Sequence, residues 1–479
     1  MIFNSLDFAV FLPIVFILYW AFTKNLRFQN LIIVVASYFF YGWWDWRFLS
    51  LILFSTLVDY SIGLGISNQQ SSLLKRRILL WTSILVNLGF LGFFKYYNFF
   101  LDNFITAFSF FGFNIEIGAL NIILPVGISF YTFQTLSYTI DIYKGKLQPT
   151  RDLIAFSAFV SFFPQLVAGP IERASHLLPQ FYSKRTIDYT DIVDGFHKIL
   201  WGLFKKVVIA DRLAIVVNEL FNNPSEYHGL TFVMGTIFFA FQIYCDFSGY
   251  SEIAIGTARL FGFDLMTNFR TPYFSKSLSE FWRRWHISLS TWFRDYLYIP
   301  LGGNKTSKFR WHLNIMIVFG VSGFWHGASW TFIIWGAIHG IVLIAESRFK
   351  LPNWSSKIGG LVQGLGVFIV VCLGWVFFRA NSLGDAIHVM GEILSIQDYE
   401  LSQIGLYIVP VVKNTVFAID VFLSTFFIVV LLIAEYLFTE HFNFSEMKYA
   451  YRLPVYIVGV WAIFVLGAFE KTEFIYFQF

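Results

Sequence analysis

The chain has 479 residues, of which 57% are hydrophobic, 21% aromatic and only 13% charged, with 61 Phe and 16 Trp. No soluble core of this length needs so much apolar surface, and several segments approach the roughly 20 apolar residues that span a bilayer, so composition predicts a polytopic helical membrane protein. The net charge of +4 is small and its basic residues are scattered, which argues against nucleic acid as a partner. Cys245 and Cys372 both lie in apolar context and imply no disulfide framework.

Apolar segments begin near residues 8–23, 30–43, 47–66, 78–101 and 122–141. The first has no basic residue before it and no small-residue cleavage pattern after it, so it reads as a retained transmembrane helix rather than a signal peptide. Lys24, Arg27, Lys75, Arg76, Arg77, Lys144, Lys146 and Arg151 occupy alternate connections, while WWDW and a loop with only Asp102 and Glu116 occupy the others. By the positive-inside rule the basic connections are cytoplasmic and the N-terminus lies outside.

FFPQLVAGPIERASHLLPQF, Phe162–Phe181, contains Pro164, Gly169, Pro170 and Pro179 and cannot be one straight helix. It reads as a broken or re-entrant segment, tolerated at membrane depth only where protein buries it or a cavity borders it. Spans near 191–221 and 231–262 follow. In the second, YCDFSGYSEIAIGTARLFGF places Asp246 and Glu252 inside an apolar run. Each needs a basic or hydroxyl partner, or a proton, and a structural ion pair is the simpler reading.

Residues 263–310 carry Arg270, Lys276, Arg283, Arg284, Arg294, Lys305, Lys308 and Arg310, so this long connection is assigned to the cytoplasm. Within it, SLSEFWRRWHISLSTWFRDYLYIPLGG places Phe281, Trp282, Trp285, Leu289, Trp292, Phe293 and Tyr296 at helical spacing, with His286 in the aromatic face. An amphipathic helix of that kind lies at the interface or re-enters against protein.

Next come 311–325 and 328–346, joined through FWHGASWTFIIWGAIHG. The first has about 15 residues, or about 22 Å, short for a hydrocarbon core of about 30 Å, which puts the turn at His326–Ser329 within the membrane. His326 and His339 are 13 positions apart, which on one continuous helix is about 20 Å. Two rings so separated cannot serve one reacting atom unless the chain folds back, and His286 is the better partner for His326. Spans near 359–378, 413–439 and 453–471 complete the chain, with an amphipathic segment from Ser382 to Ile396 between the first two. The expectation is an all-α bundle with re-entrant segments and about 11–13 membrane helices, forming one domain over 1–479.

No GxxxxGK[ST], CxxC, HExxH or GxSxG is present, so nucleotide hydrolysis and the common metal signatures have no support. His286, His326 and His339 lack a carboxylate or cysteine at ligand spacing, and no metal site is assigned.

The segments FFPQLVAGPIER, YCDFSGYSEIAIG, EFWRRWHISLSTWFRDYLYIPLGG and FWHGASWTFIIWGAIHG, in this order, resemble the membrane-bound O-acyltransferase (MBOAT) family. The resemblance runs from about Met1 to the terminal FIYFQF. It is to the bacterial branch of alginate and peptidoglycan O-acetyltransferases and the teichoic-acid D-alanyl transfer protein. It implies that His326 matches the family's invariant histidine and that His286, about 40 residues earlier, matches a second position held by His, Asn or Asp.

The resemblance implies acetyl transfer from a cytoplasmic thioester, acetyl-CoA or an acyl carrier, with no bound cofactor. The acceptor is a hydroxyl of an extracytoplasmic polysaccharide, or a periplasmic acetyltransferase partner that relays the group. Acyl transfer needs a base for the hydroxyl proton and a donor for the developing oxyanion. His326 is assigned the first task, and His286 orients the donor or stabilises the oxyanion. His339, Trp325 and Asp246 are supporting residues. Arg283, Arg284, Lys305, Lys308 and Arg310 are candidates to hold the donor's phosphates. The implied location is a bacterial inner membrane. D-alanyl transfer from a carrier protein is the alternative within the family, and a transporter or channel using His286, His326, Asp246 and Glu252 is the alternative of another class.

Overall fold

The structure is a computed structural model and describes residues 1–479 apart from 69–71, 114–116, 168, 350–355, 396–414, 442–448, 470–473 and 476–479. Glu116 and the terminal FIYFQF beyond Ile475 therefore lie outside the described residues. The described chain is all-helical. Among the described residues six helical runs are long and apolar enough to cross a membrane: Leu26–Ser67, Leu73–Phe110, Leu230–Leu260, Trp330–Arg348, Ile358–Arg379 and Ile419–Leu437. Apolar residues face outward as well as inward. On the first helix Leu6, Val10, Ile14 and Ile17 are exposed while Phe8, Phe11, Val15 and Tyr19 are buried, the pattern of a helix that meets lipid on one side and protein on the other.

The contacts divide the chain into two compact units, Met1–Phe196 with Ala254–Met266, and His197–Ile253 with Thr267–Phe479. In the first, α1 (Leu6–Ala21), α2 (Leu26–Asp45), α3 (Leu49–Ser67), α4 (Leu73–Leu91), α5 (Tyr97–Phe110) and α6 (Ile128–Tyr143) follow one another. The expected break at Phe162–Phe181 is realised as α7 (Leu153–Ser161), α8 (Phe163–Leu166), α9 (Ala174–Leu177) and a 3₁₀ turn. Pro164 and Pro179 stand in the first turns of their short helices, where a missing N–H costs nothing. Phe162, Phe163, Leu166 and Ile171 are fully buried, so this irregular backbone is wrapped in protein.

The second unit contains the C-terminal half of α10 (Tyr189–Leu203), α11 (Asp211–Asn222) and the larger part of α12 (Leu230–Leu260). It continues with α13 (Leu278–Arg284), α14 (Ile287–Phe293), α15 (Lys308–His326), α16 (Trp330–Arg348), α17 (Lys357–Arg379), α18 (Leu383–Leu394), α19 (Thr415–His441) and α20 (Tyr449–Leu466). Ser307, Ser329, Ser356 and Ser382 cap α15 to α18 by accepting a backbone N–H from the first turn.

Two boundaries differ from the sequence reading. α15 has 19 residues rather than about 15, or about 28 Å, because it starts at Lys308 on its serine cap while the polar Lys308 and Arg310 had hidden that turn. The stretch Ser277–Gly303 is not one amphipathic helix. It breaks between α13 and α14 at His286, whose backbone is left-handed at φ 43°, ψ 54°.

α15 and α16 form a tight antiparallel hairpin. A Cβ on Gly323 would lie 2.2 Å from the Phe332 carbonyl oxygen, and one on Gly336 2.2 Å from that of Phe319. Only hydrogen at these two positions lets the backbones approach so closely.

Candidate active site

His326 ends α15 and is buried. Its ring lies edge-on to Trp335 at 5.1 Å, to Phe378 at 5.3 Å and to Trp325 at 5.0 Å between centroids. The chain turns through Gly327–Ser329 and returns as α16, so His326 and His339 do not lie on one continuous helix. The separation of about 20 Å expected along a single helix does not apply. Instead Trp335 packs against both, with its ring also 5.1 Å from His339. His339 is enclosed by Trp282, Trp335 and the backbone of Gly374, where an added Cβ would lie 2.9 Å from Nε2. Neither of its ring nitrogens has a hydrogen-bond partner among the described residues.

His286 reaches the same cluster from the break between α13 and α14. Its ring lies 4.6 Å from Phe247 and 6.2 Å from Trp325, the neighbour of His326. The break itself selects residue types. Non-glycine residues at positive φ are enriched in Asn, Asp and His, the three types that the family resemblance allows at this position.

His286 Nδ1 lies 3.0 Å from Asn268 Oδ1. The orientation of that amide follows from its other bonds. Oδ1 accepts from Ser288 N and Ser288 Oγ, and Nδ2 donates to Ser251 Oγ. An oxygen that accepts a backbone N–H must also accept from the imidazole, which assigns the hydrogen of neutral His286 to Nδ1. Nε2 then carries a lone pair, and the ring can accept a proton or hydrogen bond there but cannot donate one to an oxyanion.

Asp246 is bound into an ion-pair network. It pairs with Lys206 at 2.7 Å, Lys206 pairs with Asp211 at 2.7 Å, and the second Asp246 oxygen accepts Ile475 N at 2.8 Å. Glu252 pairs with Lys198 at 3.5 Å. Both acids thus have the basic partners expected of membrane-depth carboxylates.

Lys305, Lys308 and Arg310 sit at the far end of the α15–α16 hairpin from His326, whereas Arg283 and Arg284 follow Trp282, which packs midway along it against Phe319 and His339. Lys305, Lys308 and Arg310 are exposed around the start of α15. Arg283 is exposed on α13, and Arg284 forms an ion pair with Glu280 at 2.7 Å. α13 begins with Leu278 N donating to Glu346 Oε2 near the end of α16, which places its first turn at the Lys308 end of the hairpin.

Asn268, Trp335 and Phe378 were not singled out in the sequence. Trp335 stood in a quoted motif and carried a signal. Asn268 carried none, because a lone amide in TNFRTPY looks like any loop residue.

A multi-pass helical protein that buries three imidazoles in one aromatic cluster fits intramembrane group transfer, and the comparisons with known proteins agree. Residues 150–351 match the membrane-bound O-acyltransferase family. Over 408 residues the chain is 42% identical to the probable alginate O-acetylase AlgI of Pseudomonas putida, covering 85% of this chain and 82% of that protein. It is 36% identical over 437 residues to the peptidoglycan O-acetyltransferase of Helicobacter pylori, again with 85% and 82% covered. With the teichoic acid D-alanyltransferase of Bacillus subtilis the identity is 30% over 283 residues, 54% of this chain and 70% of that one. The chain belongs to the membrane-bound O-acyltransferase family and is a membrane O-acyltransferase.

Proposed function

We propose that this enzyme moves an acetyl group from acetyl-CoA, or a related cytoplasmic thioester, to a hydroxyl of an extracytoplasmic polysaccharide or of an acetyl-relay protein. The observation that carries the reading is the shared contact of Trp325 with His286 and His326, which brings the two histidines of the resemblance into one buried cluster. The stronger likeness to the O-acetyl-transferring relatives than to the D-alanyl one supports the acetyl donor.

In this mechanism His326 takes the acceptor's hydroxyl proton as the oxygen attacks the thioester carbonyl. The C–O bond forms, the C–S bond breaks, and the proton passes from His326 to the departing thiolate. His286, with its lone pair at Nε2, orients an O–H or N–H of a substrate rather than the oxyanion. The oxyanion role falls to the indole N–H of Trp335, a buried donor with no acceptor among the described residues and with its ring against His326. Lys305, Lys308 and Arg310 surround the donor's entrance at the end assigned to the cytoplasm of a bacterial inner membrane, with Arg283 and Arg284 further along the hairpin, and the N-terminus lies outside.

The test is transfer of radiolabelled acetyl from acetyl-CoA to an oligosaccharide by the purified protein in proteoliposomes. His326→Ala is expected to abolish it while the protein stays folded. A wild-type rate in that variant overturns the assignment, and transfer only from a charged carrier protein would replace acetyl by D-alanyl.

A further inference from the structure

The end of the second unit that holds His326 also holds a cation, Arg379, that has no counter-ion among the described residues. α15 ends there, α16 starts there, and α17, packed antiparallel beside α16, returns there and ends at Arg379. α11 ends there too, at Asn222. Arg379 Nη2 donates to Asn218 Oδ1 at 2.9 Å and to Asn222 Oδ1 at 3.3 Å, and Nη1 donates to Asn381 Oδ1 at 3.3 Å. The guanidinium lies 5.5 Å from the centre of the Phe221 ring. Among the described residues no carboxylate lies within ion-pair distance of it, in contrast to Arg212 with Asp420 and Arg259 with Asp191 and Asp194 in this chain.

Three neutral amide oxygens orient a guanidinium but do not neutralise it. They occupy three of its five N–H donors. Two of the amides are tied to one another and to the backbone, since Asn381 Nδ2 donates to Phe221 O and to Asn222 Oδ1. Asn222 and Asn381 are exposed, so the cradle opens to the surface. Arg379 directly follows Phe378, the residue whose ring packs against His326. A preoriented planar cation with free donors is suited to a carboxylate, and amide side chains around it suit sugar hydroxyls. The donor's phosphates belong at the opposite, basic end, where Lys276 approaches Gly360 at the start of α17.

We propose that Arg379, held by Asn218, Asn222 and Asn381, binds a carboxylate of an acidic saccharide acceptor and sets the position of its hydroxyl relative to His326. This rests on the reading that a polysaccharide is the acceptor. Arg379 is a specificity-determining residue and takes no part in bond making.

The experiment compares an oligouronide with the same oligouronide methyl-esterified, using the full chain in proteoliposomes with acetyl-CoA. Arg379→Gln is expected to raise KM for the acid form about tenfold or more, the loss of a charge-assisted contact. The effect on the ester should be at least tenfold smaller, and Arg379→Lys should recover part of the acid preference. Equal losses on acid and ester, or an unchanged KM for the acid, overturn the proposal. His326→Ala separates the two readings. If the proposal alone fails, that variant is still inactive on both acceptors; if the catalytic reading fails, it keeps its rate.

Discussion

Asn268 and His286 are joined by a hydrogen bond of 3.0 Å that fixes the imidazole both in orientation and in tautomer. The same amide caps the return of the chain after the left-handed break, through Ser288 N and Ser288 Oγ, so one side chain holds the loop and the ring together. Asn268→Ala removes the shared acceptor of these buried donors. It should cost about 1–3 kcal/mol of stability and, through a displaced ring, about 100-fold in acetyl transfer. Thermal unfolding and turnover of the purified variant check both. Ser288→Ala, which spares the imidazole bond, should lose far less activity, and equal losses in the two variants would remove the positioning role.

The left-handed backbone at His286 restricts what can replace it. His286→Asn should fold normally, whereas His286→Val should lose about 1–3 kcal/mol, because a β-branched residue at positive φ is strained. Melting temperatures of the two variants decide this, and equal values would contradict the strain argument.

Gly323 and Gly320 lie on the same helix but differ in surroundings. A Cβ at 323 meets the Phe332 carbonyl at 2.2 Å, and one at 320 meets nothing within 4 Å. Gly323→Ala should therefore fail to give folded protein in detergent, as judged by size-exclusion chromatography, while Gly320→Ala behaves as wild type.

The buried Lys206 between Asp211 and Asp246 is a coupled unit. Lys206→Met leaves two buried carboxylates and should destabilise by about 3–5 kcal/mol. Adding Asp211→Asn and Asp246→Asn to it should restore part of that loss. A single variant as stable as the wild type would show that the acids find another partner.

His176 sits half-exposed between Asp264 and Glu172. The carboxylate of Asp264, 3.7 Å from Nε2, and that of Glu172, hydrogen-bonded to Nδ1 at 2.7 Å, raise its pKa from the usual 6.5 to about 10. A raised value means that the fold prefers the protonated ring. Its stabilising effect is complete below about pH 6.5 and is lost as pH rises towards about 10. The melting temperature of the wild type should thus fall across that window, and His176→Gln should flatten the fall. A wild-type profile no steeper than that of the variant would refute the clamp.

Much of this architecture was legible because bilayer burial writes itself into composition. Long apolar runs and the proline-broken Phe162–Phe181 segment follow from local chemistry, and so does the need of Asp246 and Glu252 for basic partners. The motifs also carried the family and the pairing of His326 with His286. The break at His286 was not legible, because aromatic spacing continued across it and a single left-handed residue leaves no periodic signature. Nor could local pattern reveal that the hairpin turn after His326 sets Trp335 against both His326 and His339, that Asn268 accepts the N–H of His286, or that Arg379 ends beside three amides with no carboxylate among the described residues in ion-pair distance. Each of these depends on which helices meet at one end of a unit. Such meetings are made by contacts between residues distant in sequence, and only the tertiary structure decides them.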